Sequence, residues 1–292
     1  MKADDLGAFE RLAEEVGVVL PALLRALIAS GRTHYGSEWP AHWRERLLQA
    51  PPALASCFDF EWIDIEAAQR EVDDWLNPQL QSGRRFLPFA QTGAGDCYCL
   101  MPLESGGCGV ALVWHDRDEA VIGYRSFSGF VCVQYLSAFA DLGHLLEDGC
   151  SETEALQVLR LDVGLTASML SVEEQEHLQG FLERPPAQRW VSDGRCTPPR
   201  QVLSLISESE SADEAARYTL PSAPRFKVVP SWERPSIVAA HVAARVPEPL
   251  DWRAIASDPA RKMQAIRAYQ AQTSADLAEA KRVVDAYLAS LS

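Results

Sequence analysis

His115 stands in "WHDRDE" (Trp114 to Glu119), beside Asp116 and close to Asp118. A histidine among carboxylates can act as a general base if an acid orients its ring and a nucleophile lies within reach. A hydrolase using His115 with Asp116 or Asp96 is the chemistry such a cluster would permit. No Gly-x-Ser-x-Gly elbow or other nucleophile signal accompanies it. A charged turn at a strand end is the plainer reading. The second candidate is "RRFLPFAQTGAGDCYCLMP" (Arg84 to Pro102). It offers a phosphate-cradling loop, a metal site or a tight turn. A dinucleotide loop needs a third glycine and a following helix, and a phosphate loop needs Gly-Lys-Ser or Gly-Lys-Thr. Neither pattern is present. Cys97 and Cys99 would share one face of a strand, but with Cys108 they lack the paired short spacings and fourth ligand of a zinc site. Core cysteines fit better. The residues therefore predict no catalytic set, no metal and no cofactor.

The third cluster is acidic. Asp59, Glu61, Asp64, Glu66, Glu71, Asp73 and Asp74 are set against Arg70. A solvated helix face accounts for such a run. A docking surface for a basic protein, helped by exposed edges of Trp62 and Trp75, is the functional version. The expected partner-binding residues are Asp59, Glu61, Trp62, Glu66, Asp73, Asp74, Asp116 and Asp118.

The elements that must position these residues follow from period and punctuation. Phe9, Leu12 and Val16 mark one helix face, and Leu24, Leu27 and Ile28 a second. Leu20-Pro21 restarts the chain between them, Pro21 suiting a first turn, and Gly31 offers a left-handed stop. Residues 32–57 read as a loop with one short helix. Asp64 caps a helix whose stripe is Ile65, Ala68, Val72, Trp75 and Leu76, ending at Asn77-Pro78. "RFLPFA", "DCYCLMPL", "CGVALVWHD" and "AVIGYRSF" read as strands, and "FSGFVCVQYLSAFADLGHLL" as a helix. Gly93 and Gly95 supply positive φ in the 92–96 turn, and Asp96 closes it on local backbone. Helices, a strand block and a further helix predict an α+β domain over 1–148. Residues 149–250 read as an extension with helices and Pro-rich loops, in which "SESESADEAA" is weakly structured. Residues 251–292 read as a helical hairpin, 259–272 and 275–291, with Thr273 and Asp276 as a capping box.

Bulk properties narrow the function classes. The 292 residues are 47% hydrophobic, enough for a substantial core. The net charge of −14, from 41 acids against 27 Lys and Arg, argues against a nucleic-acid binder. No signal-peptide pattern opens the sequence, and no apolar run reaches about 18 residues, the least for a membrane span. Seven cysteines, an odd number, form no disulfide framework. A reducing cytoplasm is the expected compartment.

The order of these pieces resembles the SUKH superfamily. "ERLAEEVGVVLPALLRALIASG" is similar to its helix, Leu-Pro, helix, Gly opening, in which Leu20 and Pro21 fall. "WIDIEAAQREVDDW" resembles its second helical signature. "FLPFAQTGAGDCYCL" resembles its strand, Gly-x-Gly-Asp turn and strand, with Gly93, Gly95 and Asp96. "VALVWHD" and "SFSGFVCVQYLSAFA" resemble the next strand and closing helix. The likeness spans about 6–145, and departs from the pattern in the insertion at 32–57 and in the chain beyond 150. It implies helices on a curved mixed sheet, and binding rather than catalysis. The family includes yeast killer-toxin-resistance and cell-wall-synthesis regulators and bacterial immunity proteins against secreted toxins. It implies a protein partner, such as a basic toxin domain, or else a scaffold role unconnected with a toxin. "LAEAKRVVD" (Leu277 to Asp285) is similar to the helical part of the ribosomal stalk protein's C-terminal domain. Ser274, Ala275 and Asp276 stand where that pattern has glycines.

Overall fold

The structure is a computed structural model that describes residues 5–191, 199–220, 225–233, 252–256 and 277–291, with positions 265, 269 and 273. The chain divides into two compact units, 1–234 and 235–292. The first is α+β and is built around one antiparallel sheet. Its strands are β1 (Glu61–Trp62), β2 (Leu87–Gln91), β3 (Cys97–Pro102), β4 (Cys108–Val113) and β6 (Ile122–Tyr124), in the order β1-β2-β3-β4-β6. β5 (Glu119–Ala120) lies outside it and pairs with β9 (Phe226–Lys227).

The helices α1 (Asp5–Val16), α2 (Ala22–Ala29), α3 (Trp39–Gln49) and α4 (Ile65–Asp73) precede or flank the first strands. Phe9, Leu12 and Val16 are buried, as are Leu24, Leu27 and Ile28, so both expected stripes face the core. Pro21 sits one residue before α2, in extended conformation, as its N-cap. Gly31 takes φ +71° and ends that helix. Asp64 accepts the Ala67 N–H and caps α4.

Period-2 alternation gives the sheet two apolar faces. Tyr98 and Leu100 face α5 (Phe127–Ala140), where Phe127 and Phe130 meet Phe89 and Trp62. α5 is apolar almost all round and is buried on nearly every side, as a central helix must be. Cys97, Cys99 and Met101 face the other way, against Trp75, Leu76, Phe86 and Val228.

The compact unit does not end at residue 148. After α6 (Gly143–Glu147), the helices α7 (Glu152–Ala167) and α8 (Val172–Leu182) each begin with a capping box, Ser151 with Glu154 and Ser171 with Glu174. Val158, Leu159, Val163, Leu178 and Phe181 join the core made by α1, α2 and α5. The hairpin of β7 (Ala187–Val191) and β8 (Arg200–Ser204) is tied to α5: Leu205 N–H donates to the Phe139 carbonyl and Leu142 N–H to the Leu203 carbonyl. The acidic run expected to be weakly structured forms α9 (Glu208–Ala215). Ser207 accepts the Glu210 N–H there, and Glu208 and Glu210 suit the positive end of the helix.

One buried carboxylate ties this later part to the earlier one. Asp162 of α7 is fully buried and accepts from the Leu54 N–H (3.1 Å), the Ser56 N–H (3.0 Å), the Ser56 hydroxyl (2.9 Å) and the Tyr135 hydroxyl (2.9 Å). Arg32 stands 3.4 Å from it and also donates to the Pro51 carbonyl. Burial pushes the Asp162 pKa up, while Ser56, Arg32 and Tyr135 pull it back. The segment 50–57, where Leu54 takes φ +63°, is thus organised by a side chain more than a hundred residues away.

In the second unit, α10 (Trp252–Ala256) and α11 (Leu277–Leu291) enclose a small core of Trp252, Ile255, Ala280 and Val284. Trp252 meets Tyr269 and Tyr287 edge-on, each at 5.2 Å between centroids. The Thr273 hydroxyl donates back to the Tyr269 carbonyl, a bond made within a helix rather than at the expected cap. Asp276 and most of 259–272 lie outside the described residues. Among the described residues, no helix is long and apolar enough to cross a membrane.

Candidate functional site

Strand register gathers most of the candidate residues at one end of the sheet. Glu61 pairs with Gln91, Gln91 with Cys97, and Cys97 with Val113. The start of β1, the 92–96 turn and the end of β4 therefore lie side by side, with Asp59, Asp96 and Asp116 among them. Asp59 takes φ +53° and accepts the Gly93 N–H at 2.6 Å. Glu61 accepts from Gln91. Gly95 takes φ +86° as expected, but Gly93 has no positive φ. A side chain at Gly93 would instead come within 3.2 Å of the Asp59 carboxylate, so what matters there is close approach.

Asp96 is buried and reaches beyond its own turn. Its Oδ1 accepts the His115 backbone N–H at 3.0 Å and lies 2.7 Å from His115 Nδ1. Its Oδ2 accepts the Thr92 hydroxyl. Thr92 in turn accepts the Asp96 N–H on its hydroxyl oxygen, so within the turn the Asp96 carboxylate bonds the Thr92 side chain rather than local backbone. Asp96 thus fixes the β2–β3 turn to the end of β4. It orients His115 as an acid orients a general base, but the hydroxyl in this group is buried and turned to Asp96. Asp96, His115 and Asp116 each bring one potential ligand atom within 4.8 Å of the others. The contact of His115 with Asp96 Oδ1 is a hydrogen bond in its own right and accounts for their proximity.

The cysteines do not converge. Burial pushes the Cys97 and Cys99 thiols well up, whereas Cys108 is half-buried and bonded to the Val19 carbonyl.

Trp62 and Trp75 are buried, so neither offers the exposed edge expected of it. Trp62 alternates with exposed Glu61 on β1, and its indole N–H donates to the Ala53 carbonyl. The Trp75 indole N–H donates to Glu71. The carboxylates remain outside: Asp59, Glu61, Asp64, Glu66 and Asp73 are exposed, and Asp74 is half-buried. Val72 and Ala68 turn inward and force this charge to the other side of α4.

The two acidic regions differ in balance. Lys227 lies 2.9 Å from Asp118 and 3.0 Å from Glu119, and Arg225 lies 3.5 Å from Glu119. Lys227 holds both carboxyls below their usual range and is itself raised by them. Arg117 covers the Trp114 ring at 3.8 Å, with Asp116 at 4.0 Å. The Asp116–Glu119 region is thus largely neutralised by the chain's own cations. In the α4 region, Arg70 is the one basic residue in the sequence from Asp59 to Asp74.

Sequence reasoning missed two groups of surface aromatics. Trp232 and Phe58 are exposed, at 59% and 70%. Tyr35 and Trp39, in the segment read as an insertion, line a cavity that opens at the start of α4. The aromatic and acidic residues of "THYGSEW" were the available signal.

A family profile, described as the SMI1 / KNR4 family (SUKH-1), matches residues 5–132. Neither a curated protein nor a solved structure matches the chain significantly.

Proposed function

Because residues 5–132 match the profile of the SMI1 / KNR4 family (SUKH-1), we propose that this chain is a member acting as an immunity-type binding protein. It holds one toxin stoichiometrically and covers the toxin's active site or substrate channel. The observation that supports this reading is the acidic surface of α4 and β1, where Asp59, Glu61, Glu66 and Asp73 are exposed. A toxin that acts on nucleic acid presents a basic face, which such a surface steers and orients. The partner is met in the cytoplasm, and the chain acts by occupation rather than by catalysis. The test is capture from a strain carrying the neighbouring gene, together with co-expression of that gene. Recovery of its product in a one-to-one complex, with protection from its toxicity, is expected. No neighbouring product and no protection would sink the proposal.

The second reading is a regulatory scaffold of the same family, unconnected with a toxin. The separate C-terminal unit favours it, since a second module gives the chain a second place to bind. Housekeeping genes beside it would favour this reading over the first.

A further inference from the structure

One segment of the first unit is held as a bound peptide is held. Residues 225–231 run along the second face of the sheet, where Val228 joins the apolar cluster that includes Trp75, Phe86, Cys99, Val113 and Ala120. Phe226 and Lys227, which form β9, pair with Ala120 and Glu119 of β5. The Val228 N–H donates to the Asp118 carbonyl at 2.9 Å, and the Ser231 N–H to the His115 carbonyl at 3.0 Å. The side chains alternate. Val228 and Pro230 are buried and Phe226 is half-buried, while Arg225 and Lys227 are exposed. The Phe226 ring lies 6.2 Å from that of Phe86, with the Arg84 guanidinium over it at 5.3 Å.

Gln81 shows what this groove recognises. It is 2% exposed, and its amide accepts the Val229 N–H at 2.9 Å and donates to the Val229 carbonyl at 3.0 Å. It also donates to the Trp75 carbonyl at 2.6 Å, which fixes it from behind. A side-chain amide so placed acts as the peptide group of a neighbouring strand. It reads main chain, so it would hold any residue but proline at that position. The Asp118 and His115 carbonyls are equally indifferent to side chains. Selection falls to the inward apolar positions and to Asp118 and Glu119, which hold the intervening lysine at 2.9 and 3.0 Å. Main-chain pairing for affinity, with alternate side chains for specificity, is the mode of strand addition.

The occupant is lightly held. β5 and β9 are two residues each and pair outside the main sheet, whereas β3 is paired along both edges. The ion pairs of Lys227 lie in solvent, where such pairs orient more than they stabilise. Segments with short ladders and few buried side chains open well before the whole fold does. The tether then returns the segment, presenting it at an effective concentration on the order of millimolar.

We infer that residues 225–231 are an internal occupant of a strand-addition groove, and that an extended apolar–basic–apolar segment of a protein partner takes their place. The inference rests on the binding reading above for the existence of that partner. It adds a contact of a different kind from the acidic surface. An incoming basic side chain would meet the carboxylates that Lys227 leaves, so Asp118 and Glu119 stay paired throughout.

The test uses the full chain. In the wild type, the Val228, Val229 and Ser231 N–H groups should exchange with deuterium together, at least about a hundredfold faster than the amides of β3. Exchange at the β3 rate would mean that the segment leaves only when the whole unit unfolds, and would overturn the inference. The probe is a labelled copy of residues 225–232, acetyl-Arg-Phe-Lys-Val-Val-Pro-Ser-Trp-amide, followed by fluorescence anisotropy. Val228→Asp in the protein puts a charge in the apolar cluster and drives out the chain's own segment. The peptide should bind this variant at least about tenfold more tightly than it binds the wild type. Glutamate for the peptide's lysine should weaken binding, and aspartate for its first valine should abolish it. Equal affinity for variant and wild type, or indifference to both peptide changes, would overturn the inference. Should the variant fail to fold, the wild-type exchange rates decide. A wild-type dimer that forms as concentration rises and excludes the peptide would give the groove to a second copy, and would overturn the assignment to a partner. A bound partner should strip the protection from all three amides. Peptide binding without any captured toxin would remove the immunity reading and leave the groove standing. A captured toxin that leaves the three exchange rates unaltered would do the reverse.

Discussion

Replacing Asp162 by alanine should cost this fold a large share of its stability. The carboxylate is fully buried and is the acceptor for the backbone N–H groups of Leu54 and Ser56, for the Ser56 and Tyr135 hydroxyls, and for Arg32. Alanine leaves all of these without it. The hydroxyls can turn toward one another, but the two backbone donors cannot. A buried donor left unsatisfied costs about 1–3 kcal/mol, and stranding one partner of a buried charged pair costs about 3–5 kcal/mol. A loss of about 4 kcal/mol is therefore expected. For a unit of this size it lowers the unfolding midpoint by about 8–16 °C. Thermal unfolding by circular dichroism measures it. Tryptophan fluorescence follows the same loop, because the Trp62 indole donates to the Ala53 carbonyl there. Asp73→Ala, on the exposed side of α4, is the control. A loss for Asp162→Ala under about 1 kcal/mol, or no larger than the control, would refute the assignment of Asp162 as the organiser of residues 50–57.

Three further outcomes are expected. Gly109→Ala would place a Cβ 2.4 Å from the Ile122 side chain and 2.6 Å from the Tyr124 carbonyl oxygen. It should cost about 2–3 kcal/mol in urea unfolding, against about 1 kcal/mol for Gly95→Ala, which has open space but a positive φ. Burial pushes the His144 imidazole below its ordinary pKa, against the opposing pull of Asp141, Asp148, Glu147 and the Ser56 backbone. The fold thus prefers the neutral ring. The stability it lends is present above about pH 6.5 and lost as pH falls through that value toward the lower folded one. Urea midpoints measured from about pH 7.5 to about pH 5 should fall less steeply for His144→Gln. A fragment ending at residue 148 should not unfold cooperatively, because it lacks Asp162 and the α7 and α8 core, whereas one ending at residue 234 should.

The fold was legible where local chemistry settles it. The stripes of α1 and α2, the Asp64 cap and the positive φ of Gly95 follow from residue type and spacing. Gly93 was misread because two glycines in one turn look alike in sequence, while the reason for the first lies across the sheet, at Asp59. Trp62 was misread for a similar cause: its acidic neighbours alternate away from it, and a charge run hides a buried ring. Ser207 and the two glutamates after it state a helix start, yet the polar composition of "SESESADEAA" masks it. Asp162 gives almost no local sign, since its partners at residues 32, 54, 56 and 135 are distant in sequence and only Thr166, one turn along α7, is near. The candidate site was legible as an acidic run but not as a cavity. Tyr35 and Trp39 reach it only through the folding of a segment that reads as loop.

The link between Asp162 and residues 54–56 also bears on how such chains can diversify. A lineage that recombined the first 132 residues onto a different tail would inherit a loop whose donors point at an acceptor left behind in the other parent. Only tails with a carboxylate at the same depth could replace it. The two stretches must therefore be inherited together, and novelty is confined to their surfaces. There, charges such as Glu61, Glu66 and Asp73 can be exchanged residue by residue without disturbing the interior.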